Sequence, residues 1–245
     1  MTAPLFLVAP GALDVRGPVL LAGPEGRHAA RVRRIGAGER VDLADGTGVV
    51  GECVVVEAGA DTLRLDIVRR YELPPPTPRF TVVQALPKGD RGELAVEAMT
   101  EVGVDEVVPW AAARCVTRWE GARGERSALR WAAHAREAAK QARRARVPDV
   151  AALASTREVA ARLAGAALPV VLHEAGSEPL ALLVVPAAGD VVMVVGPEGG
   201  LDDAELAAFA SAGAHVCRLG PEVLRTSTAG VAALAVLASR TGRWA

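Results

Sequence analysis

Cysteine is scarce in this 245-residue chain, which has only Cys53, Cys115 and Cys217. The three cysteines lie far apart, no two form a Cys-x-x-Cys pair, and no histidine stands at metal-ligand spacing from them. The sequence therefore supports neither a disulfide framework nor a zinc site, and buried structural thiols are the expected role. We expect no metal centre.

Long hydrophobic runs are also missing. The longest, residues 180–188 and 191–195, are far shorter than the roughly 20 residues that span a bilayer. No lysine or arginine precedes Arg16, and Pro4 and Pro10 interrupt the apolar start, which is not the pattern of a secretory signal peptide. With 51% hydrophobic and 23% charged residues, the composition is typical of a globular protein. We expect a cytoplasmic protein without a membrane partner.

Lysine is nearly absent, because Lys88 and Lys140 are the only two lysines among 28 basic residues. The formal net charge is −1, yet residues 114–146 contain 10 basic and 3 acidic side chains. A local positive excess of this size is expected of a surface that contacts the phosphates of a nucleic acid. A solvated helix face is the alternative explanation.

A proline-rich stretch, residues 73–79, divides the chain into two parts and favours an extended, semi-rigid linker. Before it, short β-rich segments at residues 40–43, 48–57 and 62–69 predict a small β-barrel-like module. After it, apolar runs alternate with helical stretches, which predicts an α/β domain with a mainly parallel, doubly wound sheet. The predicted strands are residues 80–85, 107–109, 170–172, 191–195 and 215–219, and the predicted helices are residues 92–102, 127–146, 155–164, 202–212 and 228–240.

A glycine-rich loop, Gly196-Pro-Glu-Gly-Gly200, follows one predicted strand and precedes a helix that Asp202 and Glu205 are expected to cap. Three glycines in five positions allow a sharp turn or a close approach of the backbone to a ligand. The spacing matches neither a Walker A loop nor the G-x-G-x-x-G fingerprint, so nucleoside triphosphate and NAD sites are disfavoured. A purely structural turn is the alternative.

The next predicted strand leads into a more polar loop that contains Arg225, Thr226, Ser227 and Thr228. Ligands of parallel α/β sheets bind beyond the carboxyl ends of the strands, where an arginine can hold an anion or an acidic heteroatom. The alternatives are a surface arginine and hydroxyls that cap the helix, and capping is the favoured role of Thr228.

A third predicted strand, residues 170–172, ends in His173 and Glu174. This pair could act as a general base and its orienting carboxylate, while a structural histidine is the alternative. Because loops after neighbouring parallel strands meet at one edge of a sheet, the three polar loops together predict one pocket.

The loops at residues 196–200 and 219–229 resemble the paired C-terminal motifs of the SPOUT methyltransferases, and more specifically those of the bacterial 16S ribosomal RNA uridine N3-methyltransferases. The residues that carry this resemblance are Gly196-Pro-Glu-Gly-Gly200 and Leu219-Gly-Pro-x-x-Leu-Arg-Thr-x-Thr-Ala229. Further matches are Arg27-His28, Arg31-Val-Arg-Arg34, residues 84–90, residues 97–104, residues 136–144 and His173-Glu174. Two positions depart from the family pattern, since Ser227 stands where glutamate is usual and Ala142 where serine is common.

The resemblance implies a fold and an activity. The implied fold is a PUA-like RNA-binding β-barrel domain at residues 1–72, a linker at residues 73–79, and a SPOUT-type trefoil-knotted domain with a mainly parallel sheet at residues 80–245. The implied activity is methyl transfer from S-adenosyl-L-methionine to N3 of one uridine, uridine 1498, of 16S ribosomal RNA in the small ribosomal subunit, by a homodimer. A ribose 2′-O-methyltransferase of the same superfamily and a non-catalytic RNA-binding protein are the alternatives.

The resemblance also implies roles for individual residues. Arg225 is the expected catalytic residue, because a guanidinium stays protonated and can stabilise negative charge on the uracil oxygens as N3 loses its proton. The acceptor of that proton is left open between water, a hydroxyl group and a carboxylate such as Glu198. The expected cofactor-binding residues are Leu172, His173, Glu174, Val195, Gly196, Pro197, Gly199, Leu219, Gly220, Leu224 and Thr226. The expected RNA-binding residues are His28, Arg31, Arg33, Arg34, Lys88, Arg136, Lys140, Arg143 and Arg144, of which Arg136, Lys140 and Arg143 are predicted to share one exposed helix face.

Overall fold

The computed structural model describes residues 3–244 and separates the chain into two compact units. The first unit extends to Pro75 and also includes Ala139–Val147, and the second comprises Pro76–Ala138 and the residues from Pro148 onward. The sequence pattern had placed residues 139–147 with the C-terminal part. They join the N-terminal unit because Ala145 packs in its apolar core and accepts a hydrogen bond from the Gly48 amide at 3.2 Å.

The first unit is built on a five-stranded sheet. Its order is β1-β3-β4-β5-β2, in which β1 and β3 are parallel and the other pairs antiparallel. Two register shifts between β4 and β5 add twist, so the sheet curls around an apolar core, and the predicted β-rich module is confirmed. The elements are β1 (Leu5–Leu7), β2 (Val19–Leu21), α1 (Gly23–Arg27), a π-helical turn (His28–Val32), β3 (Arg40–Ala44), β4 (Val49–Ala58) and β5 (Leu63–Glu72).

The second unit is built on a seven-stranded sheet in which every pair is parallel, as predicted. The strand order is β10-β12-β9-β11-β6-β7-β8. The elements are β6 (Arg79–Ala85), α2 (Arg91–Val102), β7 (Glu106–Trp110), α3 (Gly121–Gln141), β8 (Asp149–Val150), α4 (Thr156–Ala164), β9 (Leu168–Leu172), β10 (Glu178–Pro179), β11 (Asp190–Val195), α5 (Asp203–Ser211), β12 (His215–Arg218) and α6 (Thr226–Ala238).

The strand order decides where a site can form. The central strand β11 lies between β6 and β9 and is buried over Val191–Val195, which explains its unbroken apolar run. Because β12, β9 and β11 are consecutive in the sheet, the loops that begin at Leu219, His173 and Gly196 leave the same edge side by side. Helix α6, which follows the first of these loops, packs against α2.

Helix α3 differs from its prediction at both ends, since residues 127–146 were expected and Gly121–Gln141 is observed. At the C-terminal end, Arg143 has φ of +56°, and the Arg144 amide donates to the Ala139 carbonyl at 2.8 Å. This left-handed residue and the bond that reaches back over it end the helix in the way a glycine usually does. An arginine in that role gave no signal in the sequence.

Two further observations concern residues 3–244. None of the helices in this range combines the length and apolar character needed to cross a membrane. In the same range, no group of three or more histidine, cysteine, aspartate or glutamate side chains is arranged to hold a metal ion.

Candidate active site

One cavity opens where β9, β11 and β12 end. Its volume is about 320 Å³, and small-molecule sites typically measure roughly 300–1,000 Å³. Arg225 is part of its wall. Ten of the eleven residues predicted to bind the cofactor also line it, namely Leu172, His173, Glu174, Val195, Gly196, Pro197, Leu219, Gly220, Leu224 and Thr226.

The glycine-rich loop after β11 forms one wall of the cavity. Gly200 has φ of +72°, a conformation that favours glycine, and its amide donates to the Pro197 carbonyl at 2.9 Å to close the turn. Asp202 then caps α5 by accepting a hydrogen bond from the Glu205 amide at 2.7 Å, and Glu205 accepts one from the Asp202 amide at 3.1 Å. The predicted capping pair is therefore confirmed.

The same loop is held from outside by residues that follow other strands. The Glu198 carboxylate lines the cavity and accepts a hydrogen bond from the Lys88 amide at 3.3 Å. Arg114 donates to the Gly199 carbonyl at 3.1 Å. These contacts tie the loop after β11 to the loops after β6 and β7.

Gly199 is the predicted cofactor residue that does not line the cavity. A Cβ atom there would lie 3.1 Å from Cβ of Arg114 and 3.4 Å from its carbonyl oxygen. The absence of a side chain at Gly199 therefore admits Arg114. Sequence reasoning missed Arg114, which stands in a basic stretch without any motif of its own.

Arg225 begins the final helix. It occupies the N-cap position of α6, and its carbonyl accepts hydrogen bonds from the Thr228 amide at 2.9 Å and the Thr228 hydroxyl at 3.2 Å. The prediction that Thr228 caps this helix is therefore wrong, because the helix starts at Thr226 and Thr228 already lies in its first turn. Within residues 3–244 the Arg225 guanidinium forms neither an ion pair nor a hydrogen bond, which leaves it available to a ligand.

A buried glutamine supports this helix start. Gln84, at the end of β6, is fully buried, and its Nε2 donates to the Ala85 carbonyl at 3.2 Å and to the Thr226 carbonyl at 3.4 Å. It thereby links the sheet to the residue that follows Arg225. The sequence contained a usable signal, since Gln84 is the one amide side chain of β6 and directly follows Val82 and Val83.

His173 and Glu174 both line the cavity. The His173 ring accepts a hydrogen bond at Nδ1 from the Ala175 amide at 3.1 Å. A ring nitrogen that accepts in this way carries no proton, so the Nε2 atom holds the proton of the neutral ring. The ring is thus oriented by backbone, whereas the sequence suggested Glu174 as its orienting group.

The cavity contains no reactive thiol among its lining residues. Cys217 lies behind it on β12, where burial, reinforced by the charge of Glu178, raises the pKa of the thiol to about 11. Such a thiol stays protonated near neutral pH and is a poor nucleophile. The chemistry available at this edge of the sheet therefore belongs to arginine, carboxylates, histidine and backbone groups.

Comparison with known proteins identifies the family. A model of the RNA methyltransferase domain matches residues 74–238, and a model of the RNA methyltransferase PUA domain matches residues 21–68. The chain belongs to the RNA methyltransferase family. The resemblance noted in the sequence is thereby confirmed.

Several relatives resemble this methyltransferase over nearly its whole length. Ribosomal RNA small subunit methyltransferase E of Mycobacterium bovis is 47% identical over 94% of this chain and 90% of that protein. The protein of the same name from Bacillus subtilis is 28% identical over 90% of each chain. The crystal structure of ribosomal RNA small subunit methyltransferase E from Neisseria gonorrhoeae bound to S-adenosyl methionine is 26% identical, with a TM-score of 0.85 over 98% of both chains.

The residues of this methyltransferase predicted to bind RNA fall into separate groups. Lys88 and Arg136 belong to the second unit and are exposed. In the first unit, Arg31 forms an ion pair with Asp61, with Nη2 to Oδ2 at 2.8 Å. Four more of the predicted residues line a second cavity of the first unit, namely His28, Arg33, Lys140 and Arg143. The last two, Arg34 and Arg144, are the next residues in the chain after Arg33 and Arg143.

The predicted exposed helix face of Arg136, Lys140 and Arg143 is not formed. The Lys140 side chain is only 11% exposed, because its Nζ contacts Oε1 of Glu25 at 2.9 Å. Arg143 lies beyond Gln141, the last residue of α3. The prediction of a shared face was wrong because it assumed that α3 continues to residue 146.

Proposed function

We propose that this protein transfers the methyl group of S-adenosyl-L-methionine to N3 of a uridine in the 16S ribosomal RNA of the small subunit, with uridine 1498 as the target. The names of its relatives support a small-subunit ribosomal RNA substrate, and the Neisseria relative supports the cofactor. The observation that carries the proposal is Arg225, which lines the same cavity as the glycine-rich loop and whose guanidinium has no partner within residues 3–244.

The cavity suits S-adenosylmethionine in size and chemistry. The side chains of Leu172, Val195 and Leu219 provide apolar walls for an adenine ring, and the loop backbones provide polar groups at its edges. The carboxylates of Glu174 and Glu222 line the same space and suit a ligand that carries positive charge. When bound, S-adenosylmethionine supplies a methyl group already activated on a sulfonium.

Arg225 acts on the RNA base. Uracil N3 can attack only after its proton leaves, and negative charge then spreads onto the two neighbouring carbonyl oxygens. A guanidinium remains protonated and offers several N–H donors in a planar fork, so it can bind such an oxygen more strongly as the charge grows. The hydrogen bonds that fix Arg225 at the start of α6 are accepted by its backbone carbonyl, so its side chain stays free for this role.

A carboxylate is the proposed acceptor of the N3 proton. Glu198 lines the cavity, and its carboxylate is held by the Lys88 amide. Its loop is further fixed by Arg114, so the oxygens have a defined position. An arginine cannot take this role, because it does not release its own proton at physiological pH.

The wider assignment has three parts. We propose that residues 1–72 bind RNA, residues 73–79 link the domains, and residues 80–245, apart from Ala139–Val147 of the first unit, form the knotted catalytic domain. A homodimer is proposed because apolar side chains are exposed both in the loop after β12, which lines the cavity, and in the segment between β10 and β11, with Val223 at 76% and Val184 at 87%. The three free, buried cysteines fit a reducing compartment, which supports a cytoplasmic location.

Mass spectrometry of nucleosides tests the activity. The protein is incubated with S-adenosylmethionine and either small-subunit RNA or small-subunit particles, and the RNA is then digested completely. We expect N3-methyluridine in the wild-type reaction and its loss with Arg225→Ala. A 2′-O-methylated nucleoside in its place would contradict the proposal, and the RNA would then resist alkaline hydrolysis at the modified nucleotide. The absence of any methylated product would also contradict it.

A further inference from the structure

Gln84 places a polar amide in the buried centre of the parallel sheet. Its register partners are Val195 on β11 and Pro109 on β7, and its side chain is fully buried. Val195 lines the active-site cavity, whereas Gln84 does not. The amide therefore lies beside the cavity wall without reaching a ligand, so any part it takes in the reaction must pass through another residue.

The contacts of this amide fix its orientation. Both of its neighbours, at 3.2 Å and 3.4 Å, are the carbonyl oxygens of Ala85 and Thr226, which only accept hydrogen bonds, so the Nε2 end must face them. The Oε1 atom is buried and has no hydrogen-bond partner among residues 3–244. A buried acceptor without a donor destabilises the folded state. Stability alone would favour an apolar side chain of the same length, such as methionine.

The group that Gln84 holds lies next to the proposed catalytic arginine. Thr226 is the first residue of α6, and Arg225 is joined to it as the N-cap. The Arg225 carbonyl is fixed in turn by the amides of Thr228 at 2.9 Å and Ala229 at 3.0 Å. Since the Arg225 guanidinium has neither an ion pair nor a hydrogen bond within residues 3–244, its direction depends on the backbone that carries it.

We propose that Gln84 is a positioning residue for methyl transfer: its amide holds the Thr226 carbonyl and thereby keeps Arg225 aimed at the uracil oxygen. This inference rests on the proposed function for the role of Arg225. A long side chain enlarges any small movement of its backbone at the guanidinium, and a misplacement of about 1 Å at a reacting group lowers a rate by roughly 10²-fold. The unpaired Oε1 is the stability given up for this link.

A double-mutant cycle tests the connection between Gln84 and Arg225. Single-turnover methylation, with enzyme and S-adenosylmethionine saturating, is measured for the wild type, Gln84→Met, Arg225→Ala and the double variant. We expect Gln84→Met to lower the rate by about 10–100-fold in the wild-type background. The same substitution should cause no further loss when Arg225 is already alanine, because the two residues act as one unit. Equal losses in both backgrounds would overturn the proposal.

Urea unfolding separates positioning from a structural role. Gln84→Met removes the unpaired oxygen, and the two hydrogen bonds it gives up are long, so the unfolding midpoint should equal or exceed that of the wild type. A midpoint well below the wild type would identify the amide as structural and overturn the proposal.

Thr81→Val is the matched control for the rate. Thr81 is a buried polar residue at the other end of β6, where its hydroxyl contacts Glu106 at 3.3 Å. Like Gln84→Met, the substitution exchanges a buried polar group in β6 for an apolar one of similar shape, but it is far from Arg225 in the strand. The methylation rate should stay at the wild-type value. A loss as large as that of Gln84→Met would overturn the proposal, because any polar change in β6 would then suffice.

Hydrogen exchange measures the link without any methylation. In Gln84→Met, the amides of Thr228 and Ala229 should exchange faster than in the wild type, because the start of α6 has lost its anchor, while the amides of α4 exchange at the wild-type rate. Unchanged exchange at the start of α6 would overturn the proposal. Faster exchange in a protein whose wild type forms no N3-methyluridine would count against the proposed function and still support the link between Gln84 and Thr226.

Discussion

Gly230→Ala probes the packing of α6 on α2, on which the floor of the active-site cavity depends. An alanine Cβ at this position would lie 2.7 Å from Sδ of Met99 and 3.5 Å from Cγ2 of Val195. The first distance is shorter than a real contact allows, and Met99 is fully buried, so its sulfur has no solvent-filled space to enter. Either Met99 must leave its rotamer or α6 must move.

Two effects of opposite sign decide the outcome. Replacing a glycine inside a helix by alanine stabilises the folded state by about 0.5–1 kcal/mol. Overpacking a filled core costs about 1–3 kcal/mol. We expect overpacking to be the larger effect here and the free energy of unfolding to fall by about 1–2 kcal/mol. Because α6 also carries Thr226 and Ala229 into the cavity wall, the affinity for S-adenosylmethionine should fall as well.

Urea unfolding measures this loss, and Gly165→Ala is the matched control. Gly165 ends α4 with φ of −91°, and its Cβ would meet only two carbonyl oxygens at 3.8 Å. Its substitution should change stability by less than about 0.5 kcal/mol. A Gly230→Ala protein at least as stable as the wild type would refute the packing argument.

Two further predictions concern the thiols and the glycine-rich loop. Burial raises the pKa of Cys53 to about 12 and that of Cys217 to about 11, so the folded protein should resist iodoacetamide at pH 8 and react after unfolding in urea. Unfolded thiols ionise at about pH 8.5, whereas these folded thiols stay protonated, so the free energy of unfolding should decrease as the pH rises above that value. Rapid labelling of the folded protein by iodoacetamide would contradict the burial of these thiols. Gly199→Val should weaken S-adenosylmethionine binding indirectly, because its Cβ would press on Cβ of Arg114 at 3.1 Å, and adding Arg114→Gly, which removes that Cβ, should restore part of the affinity in calorimetric titration. Affinity that is unchanged in Gly199→Val would exclude a role of this contact in shaping the cavity.

Much of the fold follows from local pattern. Apolar runs such as residues 191–195, alternating with helical stretches, predicted the parallel sheet, and the order of polar loops predicted a single pocket at one sheet edge. These features are local in the chain, so the sequence expresses them directly. The trefoil knot and the homodimer are different, because they depend on how distant segments pass or pack, and they stay predictions from the resemblance.

The site was predictable where a motif marks it and not where tertiary contacts create it. Gly196 and Arg225 stand in recognisable loops, whereas Arg114 becomes relevant only because the fold brings it against Gly199. Lys140 counted as an exposed cation in the sequence, but Glu25, 115 positions away, holds it in a half-buried ion pair. Periodicity carries no information about such a partner.

Single-turnover methylation by Arg225 variants tests the central claim most directly. With enzyme and S-adenosylmethionine saturating, the rate of N3-methyluridine formation is measured for wild type, Arg225→Lys, Arg225→Ala and, as a control, Arg157→Lys on the exposed face of α4. Lysine keeps the charge but loses the planar fork of donors. If that fork stabilises the charge on the uracil oxygens, the rate for Arg225→Lys should fall by a factor of about 10²–10³. The cofactor affinity should stay unchanged, and the control should keep the wild-type rate. Wild-type rates for both Arg225 variants would contradict the account.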